Sequence, residues 1–316
     1  MDTFFYSLST RRSTKMYSQY WQVGLDIQME AIRALAVVRR RYGWQLRYWW
    51  SQTLPSGVWH EGILQQPDIV SDKLKLLRKQ LPRHISLRIA LPAQRILQQS
   101  LPTPDSRMRE PEQEGYISAA ASRLFPVNRQ ELALDYRAVS TSGGELLMTA
   151  ARLLEVQQWQ TCLHQADLPS HVIDITPCAL RYMATAAGLS GAYYLVHRLA
   201  NEWLWVSSSD LPFDFGVAAI DLDEGSSEAL LPQGSNPLST LLAQLRSRYP
   251  KQNVVYSGES RVPLAIYYSS TVDEPLPENT TAWSPFTAFT QYQPPLPSLP
   301  SAFTLAGGLA LRPADA

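Results

Sequence analysis

Asp26, His197, Cys162, Cys178 and the run Arg39-Arg40-Arg41 are among the residues of this chain whose types bear on chemistry. Asp26 sits near the end of the apolar run Val23-Gly24-Leu25-Asp26-Ile27. A carboxylate there could ligate a metal ion, but taken alone it reads as a strand-end residue. His197 could contact a phosphate, yet an isolated histidine reads as structural. The two cysteines are too far apart in sequence for a metal knuckle or a redox pair. Each reads as a small core residue instead. The three arginines close an apparent strand before Tyr42-Gly43. They read as a solvated turn, with a contact to DNA or lipid as the alternative.

Composition narrows the classes further. The 316 residues are enough for two lobes of ordinary domain size. Hydrophobic residues make up 45% and charged residues 18%, a globular balance that argues against wholesale disorder. Lys+Arg and Asp+Glu are both 28, so no global field favours nucleic acid or an acidic membrane. A protein that grips DNA through its phosphates would show a basic excess, so direct nucleic-acid binding is not expected. No window approaches the ~20 continuous apolar residues of a membrane span. Phe4-Phe5-Tyr6 is too short for a signal peptide. The expected compartment is therefore the cytoplasm. The first fifteen residues are rich in Ser, Thr and Arg and lack periodicity. Residues 1–20 are expected to be a disordered or untranslated extension, with Met16 as the start.

The elements that must position these residues are legible as patterns. Trp21–Ile27, Ala31–Val38 and Gln45–Trp50 form an expected antiparallel meander. Val70, Leu74, Leu77 and Leu81 are spaced as one helix face, and Ile85, Leu87, Ile89 and Leu91 alternate as a strand. A strand at Arg95–Leu101, a helix at 110–124, strands at 132–139 and 146–150 and a helix around Val156, Trp159 and Leu163 make a compact block. Val172–Ile175 leads into a helix from Pro177, where proline is well tolerated. A second meander follows at Tyr193–Val196, Trp203–Val206 and Phe215–Ile220. Then come a helix around Leu238–Leu245, a short strand at 253–256, a proline-rich crossover at 273–300 and an apolar helix at Phe303–Leu311.

This order is similar to that of the actin/Hsp70/sugar-kinase superfamily, and the detailed match is narrower. Val23-Gly24-Leu25-Asp26-Ile27 resembles the opening strand of PilM, the actin-like type IV pilus assembly family. Leu91-Pro92 followed by Arg95–Pro102 looks like that family's strand pair flanking its insert. Leu124-Phe125-Pro126, then 132–139 and Leu146–Leu153, resemble the rest of the insert. Val172–Ile175 and Gly308–Arg312 complete the pattern. Within the family the resemblance points to the enterobacterial branch linked to use of external DNA as a nutrient. The cytoplasmic part of the secretion protein GspL is similar too.

The resemblance implies an α/β, two-lobed actin-like fold. Its first lobe would be 21–94 with 169–190, an inserted α+β subdomain 95–168, and the second lobe 191–316, whose last helix returns to the first. The second lobe's helical subdomain would be reduced to the polar run 221–236. Nucleotide-binding relatives hold phosphates on two glycine-rich hairpins, each with an Asp that organises metal and water. Here the matching positions read Asp26 with Gln28-Met29-Glu30, His197-Arg198-Leu199, and Gly258-Glu259. Asp26, Gln28, His197, Leu199 and Gly258 are therefore expected to be degenerate nucleotide positions. No catalytic residue, metal or cofactor is expected, with residual ATP-magnesium binding as the alternative. In the family, the cytoplasmic tail of a PilN-type inner-membrane protein docks beside the insert. Ile96, Leu101, Phe125 and Tyr136 are assigned to that contact, with Leu124 and Leu134 nearby; the alternative is that they fill the insert's own core. Phe125 is expected to project as an aromatic anchor. The implied role is a non-catalytic scaffold at the inner face of the inner membrane, in a pilus-like DNA-uptake machine.

Overall fold

The structure, a computed structural model, describes residues 20–60, 63–105, 107–109, 111–138, 144–220, 237–248 and 264–313. The chain opens with an antiparallel meander of β1 (Trp21–Ile27), β2 (Ala31–Arg40) and β3 (Gly43–Thr53). A minimal hairpin, β4 (Trp59–His60) and β5 (Ile63–Leu64), precedes α1 (Pro67–Arg78). Helix α1 buries Val70, Leu74 and Leu77, the stripe that its spacing predicts. Strand β6 (Ile85–Leu91) then lies parallel to β1. Strand β2 is buried along Ala31–Val38 on both faces, because it sits between β1 and β3 and both faces of the sheet are covered there.

The insert begins after β6. Strands β7 (Ile96–Pro102), β8 (Leu132–Ala138) and β9 (Glu145–Arg152) form an antiparallel sheet in the order β7-β9-β8. Helix α2 (Glu112–Leu124) covers one face over Leu101, Leu132, Leu134, Leu146 and Met148. The other face turns Ile96, Ala133 and Ala151 toward α3 (Leu153–Gln165) and the core of the first lobe. Helix α3 locks onto α1 through the buried Ser71 hydroxyl, 3.0 Å from the Cys162 carbonyl, and carries Trp159, 5.3 Å from Trp59.

Strand β10 (Val172–Ile175) completes the first meander's parallel side, and α4 (Thr176–Ala186) crosses to the second lobe. There β11 (Tyr193–Arg198), β12 (Glu202–Ser207) and β13 (Phe215–Ala219) repeat the antiparallel meander. After α5 (Pro237–Arg248), β14 (Ala265–Ser270) lies parallel to β11 and β15 (Thr281–Ala282) parallel to β14. The two sheets thus share one topology, β10-β6-β1-β2-β3 against β15-β14-β11-β12-β13.

The chain then returns to the first lobe earlier than its last helix. Strand β16 (Phe289–Tyr292) pairs in parallel with β3, and Phe286, Phe289 and Phe303 pack with Leu35, Val37 and Leu46. Helix α6 (Thr304–Leu311) is buried at every position. A Cβ on Gly24 would stand 1.9 Å from the Ala306 carbonyl oxygen, and one on Gly308 only 1.7 Å from that of Ala179. Glycine is required at both places because β1, α6 and α4 meet backbone to backbone. Strand β14 was not among the segments expected from sequence, and the expected strand at 253–256 lies outside the described residues. Among those residues no helix is long and apolar enough to cross a membrane.

Candidate functional site

The duplicated topology sets two hairpins at equivalent places. In the first, Ile27 pairs with Ile32 and the Gln28 N–H donates to the Ala31 carbonyl at 3.0 Å. In the second, Arg198 pairs with Trp203 and the Leu199 N–H donates to the Glu202 carbonyl at 2.8 Å. The shared register makes His197 the counterpart of Asp26, and Leu199 that of Gln28. Gly258 lies outside the described residues, as does the polar run 221–236.

Charge is distributed unevenly over the two turns. Asp26 is buried and pairs across the ladder with Arg33. Its Oδ1 accepts from the Gln28 side chain at 2.6 Å. Burial pushes its carboxyl up to about 6, against the pull of the Gln28 hydrogen bond and the Arg33 charge. Arg33 is itself buried and donates to Glu30 at 3.3 Å. His197 is wholly buried and shares a 2.7 Å hydrogen bond between Nδ1 and the Ser269 hydroxyl. Burial, then the Arg33 charge, push its imidazole down to about 3, so it is neutral across the physiological range. Arg33 thus acts on both hairpins. Asp26 Oδ2, Arg33 Nη1 and His197 Nε2 are buried and have no hydrogen-bond partner among the described residues. Among those residues no group of three His, Cys, Asp or Glu could hold a metal ion.

Other contacts tie the parts together around the space that the two hairpins share through Arg33, the cleft between the lobes. The Gln94 side chain donates to Glu202, joining the lobes, and burial raises the Glu202 carboxyl. Arg198 pairs with Glu274, which also accepts from the Tyr268 hydroxyl at 2.8 Å. Phe213 lies against two guanidinium groups, Arg137 of the insert at 4.9 Å and Arg181 of α4 at 5.3 Å.

On the insert, the structure corrects the expected aromatic anchor. Phe125 is 5% exposed and belongs to the subdomain's own core. Its N–H donates to the Ala121 carbonyl at 3.0 Å, and its extended backbone ends α2 with the side chain in one core cluster with Ile117 and Ala121. Leu101 and Leu134 are buried in the same core, Ile96 faces the lobe, and Tyr136 is half-buried opposite Met148. The exposed large apolar side chains of the insert are instead Leu154 (78%) on α3, Leu124 (39%) on α2 and Leu97 (37%) on β7. Leu97 escaped the sequence reading although strand alternation held the signal. With Ile96 turned inward, its neighbour must face the other way. Strands β7 and β8 are the edges of the three-stranded sheet.

Comparison with known proteins gives this geometry its context. A family profile described as type IV pilus assembly protein PilM matches residues 24–191. The DNA utilization protein HofM of Escherichia coli (strain K12) is 29% identical over 193 residues, 61% of this chain and 73% of that protein. Among solved structures, the PilM-PilN type IV pilus biogenesis complex aligns with TM-score 0.67 and 20% identity. That alignment covers 92% of this chain and 97% of that one. The cytoplasmic domain of EpsL, from the type II secretion system of Vibrio cholerae, aligns over 92% and 94% at 13% identity and TM-score 0.49. The fold is actin-like, two-lobed and duplicated, and the chain belongs to the family of the type IV pilus assembly protein PilM.

Proposed function

We propose that this chain is a non-catalytic scaffold of a type IV pilus-like, DNA-utilization machine, and that it holds the cytoplasmic tail of a PilN-type inner-membrane protein. The observation that carries the reading is which side chains stand at the two hairpins and what they bond. A triphosphate with magnesium needs close backbone approach and ionised carboxylates. Here Gln28 caps Asp26, Glu30 adds a second negative group where the triphosphate would approach, and a neutral His197 takes the other carboxylate position. These residues do not fit a nucleotide-metal group. The family membership supports the pilus-like setting, and the solved PilM-PilN complex, similar over nearly the whole chain, supports the partner class. An extended tail would add to the β7 edge, with Leu97 and Leu124 as its apolar contacts.

A second reading, residual nucleotide binding, draws on the orphaned polar atoms of Asp26, Arg33 and His197. One experiment separates the two. Melting is followed with Mg-ATP and, separately, with a PilN-type tail peptide. A ligand at 100-fold its Kd stabilises by about 2.7 kcal/mol. The scaffold reading expects that shift from the peptide and none from Mg-ATP, and expects Leu97→Asp to abolish the peptide shift without lowering the free protein's Tm. A saturable Mg-ATP shift that Asp26→Ala removes would establish the second reading instead.

A further inference from the structure

The far end of the first lobe's sheet carries a feature that the cleft and the insert leave unused. Arg39 and Arg40 end β2 and Arg41 and Tyr42 form the turn into β3, all four exposed, with Tyr42 at 75%. Trp21 pairs with Ile85, so the exposed Arg83 reaches the same end of the sheet two strands across. Tyr20, also exposed, stands between them at the start of β1. Among the described residues the acid on this flank is Asp167, which pairs with Arg78 at 3.2 Å beside Pro82. Residues 31–60, 79–91 and 285–313 contain no Asp or Glu, and the acids of the meander, Asp26 and Glu30, lie at the opposite end. Arg39 lies six residues along β2 from Arg33, about 20 Å at strand rise. A chain with no net charge therefore concentrates positive charge on one edge.

The arrangement of rings and cations identifies the partner class. Arg39 lies over the Trp44 ring at 5.0 Å and Arg47 over Trp21 at 5.4 Å. Nucleobases stack on open aromatic faces, and these faces are covered by guanidinium groups. The edge presents outward a row of cations with the phenol ring of Tyr42, itself under the Arg41 guanidinium at 5.4 Å, at its tip. That pairing suits a bilayer surface, where arginines meet phosphates and an amphipathic ring sits at headgroup depth.

We propose that the Arg39-Arg40-Arg41-Tyr42 tip, with Arg83, docks directly on an anionic phospholipid membrane. Docking there leaves the cleft and the insert, at the other end of the sheet, free for protein partners. The attraction falls off within a Debye length of about 8 Å at physiological salt, so binding should be lost at high salt.

The test is sedimentation of the full chain, without partner, with phosphatidylcholine vesicles and with vesicles containing one third phosphatidylglycerol. A labelled single-stranded oligonucleotide is assayed alongside at equal phosphate. Binding is expected only to the anionic vesicles. It should weaken about fivefold for Arg41→Ala, an exposed turn position, and by well over about a hundredfold for the triple Arg39→Glu, Arg40→Glu, Arg41→Glu, which removes three cations and adds three anions. The triple Arg→Lys variant should retain it. Circular dichroism confirms folding, and Arg41→Ala stands as the test if the triple variant is unfolded. Equal binding to neutral vesicles, tighter binding to the oligonucleotide, or undiminished binding by Arg41→Ala would each overturn the proposal.

Discussion

Asp26 and His197 hold the same position in two copies of one hairpin, a buried acid in the first lobe and a buried neutral base in the second. Arg33 acts on both, holding the acid's affinity for protons down and the base's down further. The cleft therefore contains two groups whose protonation on acidification moves stability in opposite directions.

For Asp26 the folded value of about 6 stands above its ordinary 3.8. Its burial costs nothing below about pH 4, where folded and unfolded chains both carry the proton, and costs progressively more as pH rises through 6. For His197 the folded value of about 3 stands below its ordinary 6.5. Its contribution is whole above pH 6.5 and is lost as pH falls toward 3. Between about pH 4 and 6 the slopes oppose, each about 1.4 kcal/mol per pH unit, and the pair leaves stability nearly level. Asp26→Asn should raise stability at pH 8 by up to about 3 kcal/mol and turn that level stretch into a decline on acidification. Urea denaturation across pH 4–8 measures it; a profile parallel to the parent's would exclude Asp26 from the balance.

Arg33→Met removes the cation common to both hairpins. Glu30 is about one-third exposed and tolerates the loss, whereas buried Asp26 does not. The expected cost is about 2–3 kcal/mol at pH 8. It should shrink at pH 5, because Asp26 then takes up a proton. Chemical denaturation at the two pH values gives the comparison, and an equal loss at both would contradict it.

Phe125→Ala should lower folding stability by about 3–5 kcal/mol, with the loss confined to α2 and β7–β9 in amide exchange. Tail affinity measured on the folded fraction should change little. Exchange rates unaltered in α2 would show that the ring is not holding the insert's core.

Gly308→Ala puts a methyl group where the Ala179 carbonyl stands. Overpacking against backbone at this α4–α6 crossing should cost about 3 kcal/mol or more. Gly188→Ala meets nothing within 4 Å but sits at φ +87, so its smaller cost is conformational alone. Comparing the two melting temperatures separates clash from strain, and a smaller loss for Gly308→Ala would refute the close crossing.

Much of this organisation was legible because burial imposes period. Ile85, Leu87, Ile89 and Leu91 alternate and Val70, Leu74 and Leu77 stripe a helix, and each ends in the core as spaced. What escaped lacked such a signature. Strand β14, Ala265–Ser270, ends in Ser269 and Ser270, buried polar residues at the cleft that break an apolar reading. Strand β16 is four residues with three exposed, and only its pairing with β3 defines it. At the site, the resemblance to the family's hairpins, and not residue type or spacing, singled out Asp26 and His197. The direction of Phe125 depended on the backbone turn after Leu124, which side-chain spacing does not encode.

The late return of β16 and α6 to the first sheet has a consequence for synthesis. The ribosome completes β1–β3, β6, β10 and α4 by residue 186, yet the helix that seals them is made only at 304–311. At about 5–20 residues per second, Leu35, Val37, Leu46 and Met183 wait on the order of ten seconds without their cover. During that interval the second lobe can form while the first stays open, so a nascent-chain chaperone has its clearest claim on the half of the molecule that was translated first.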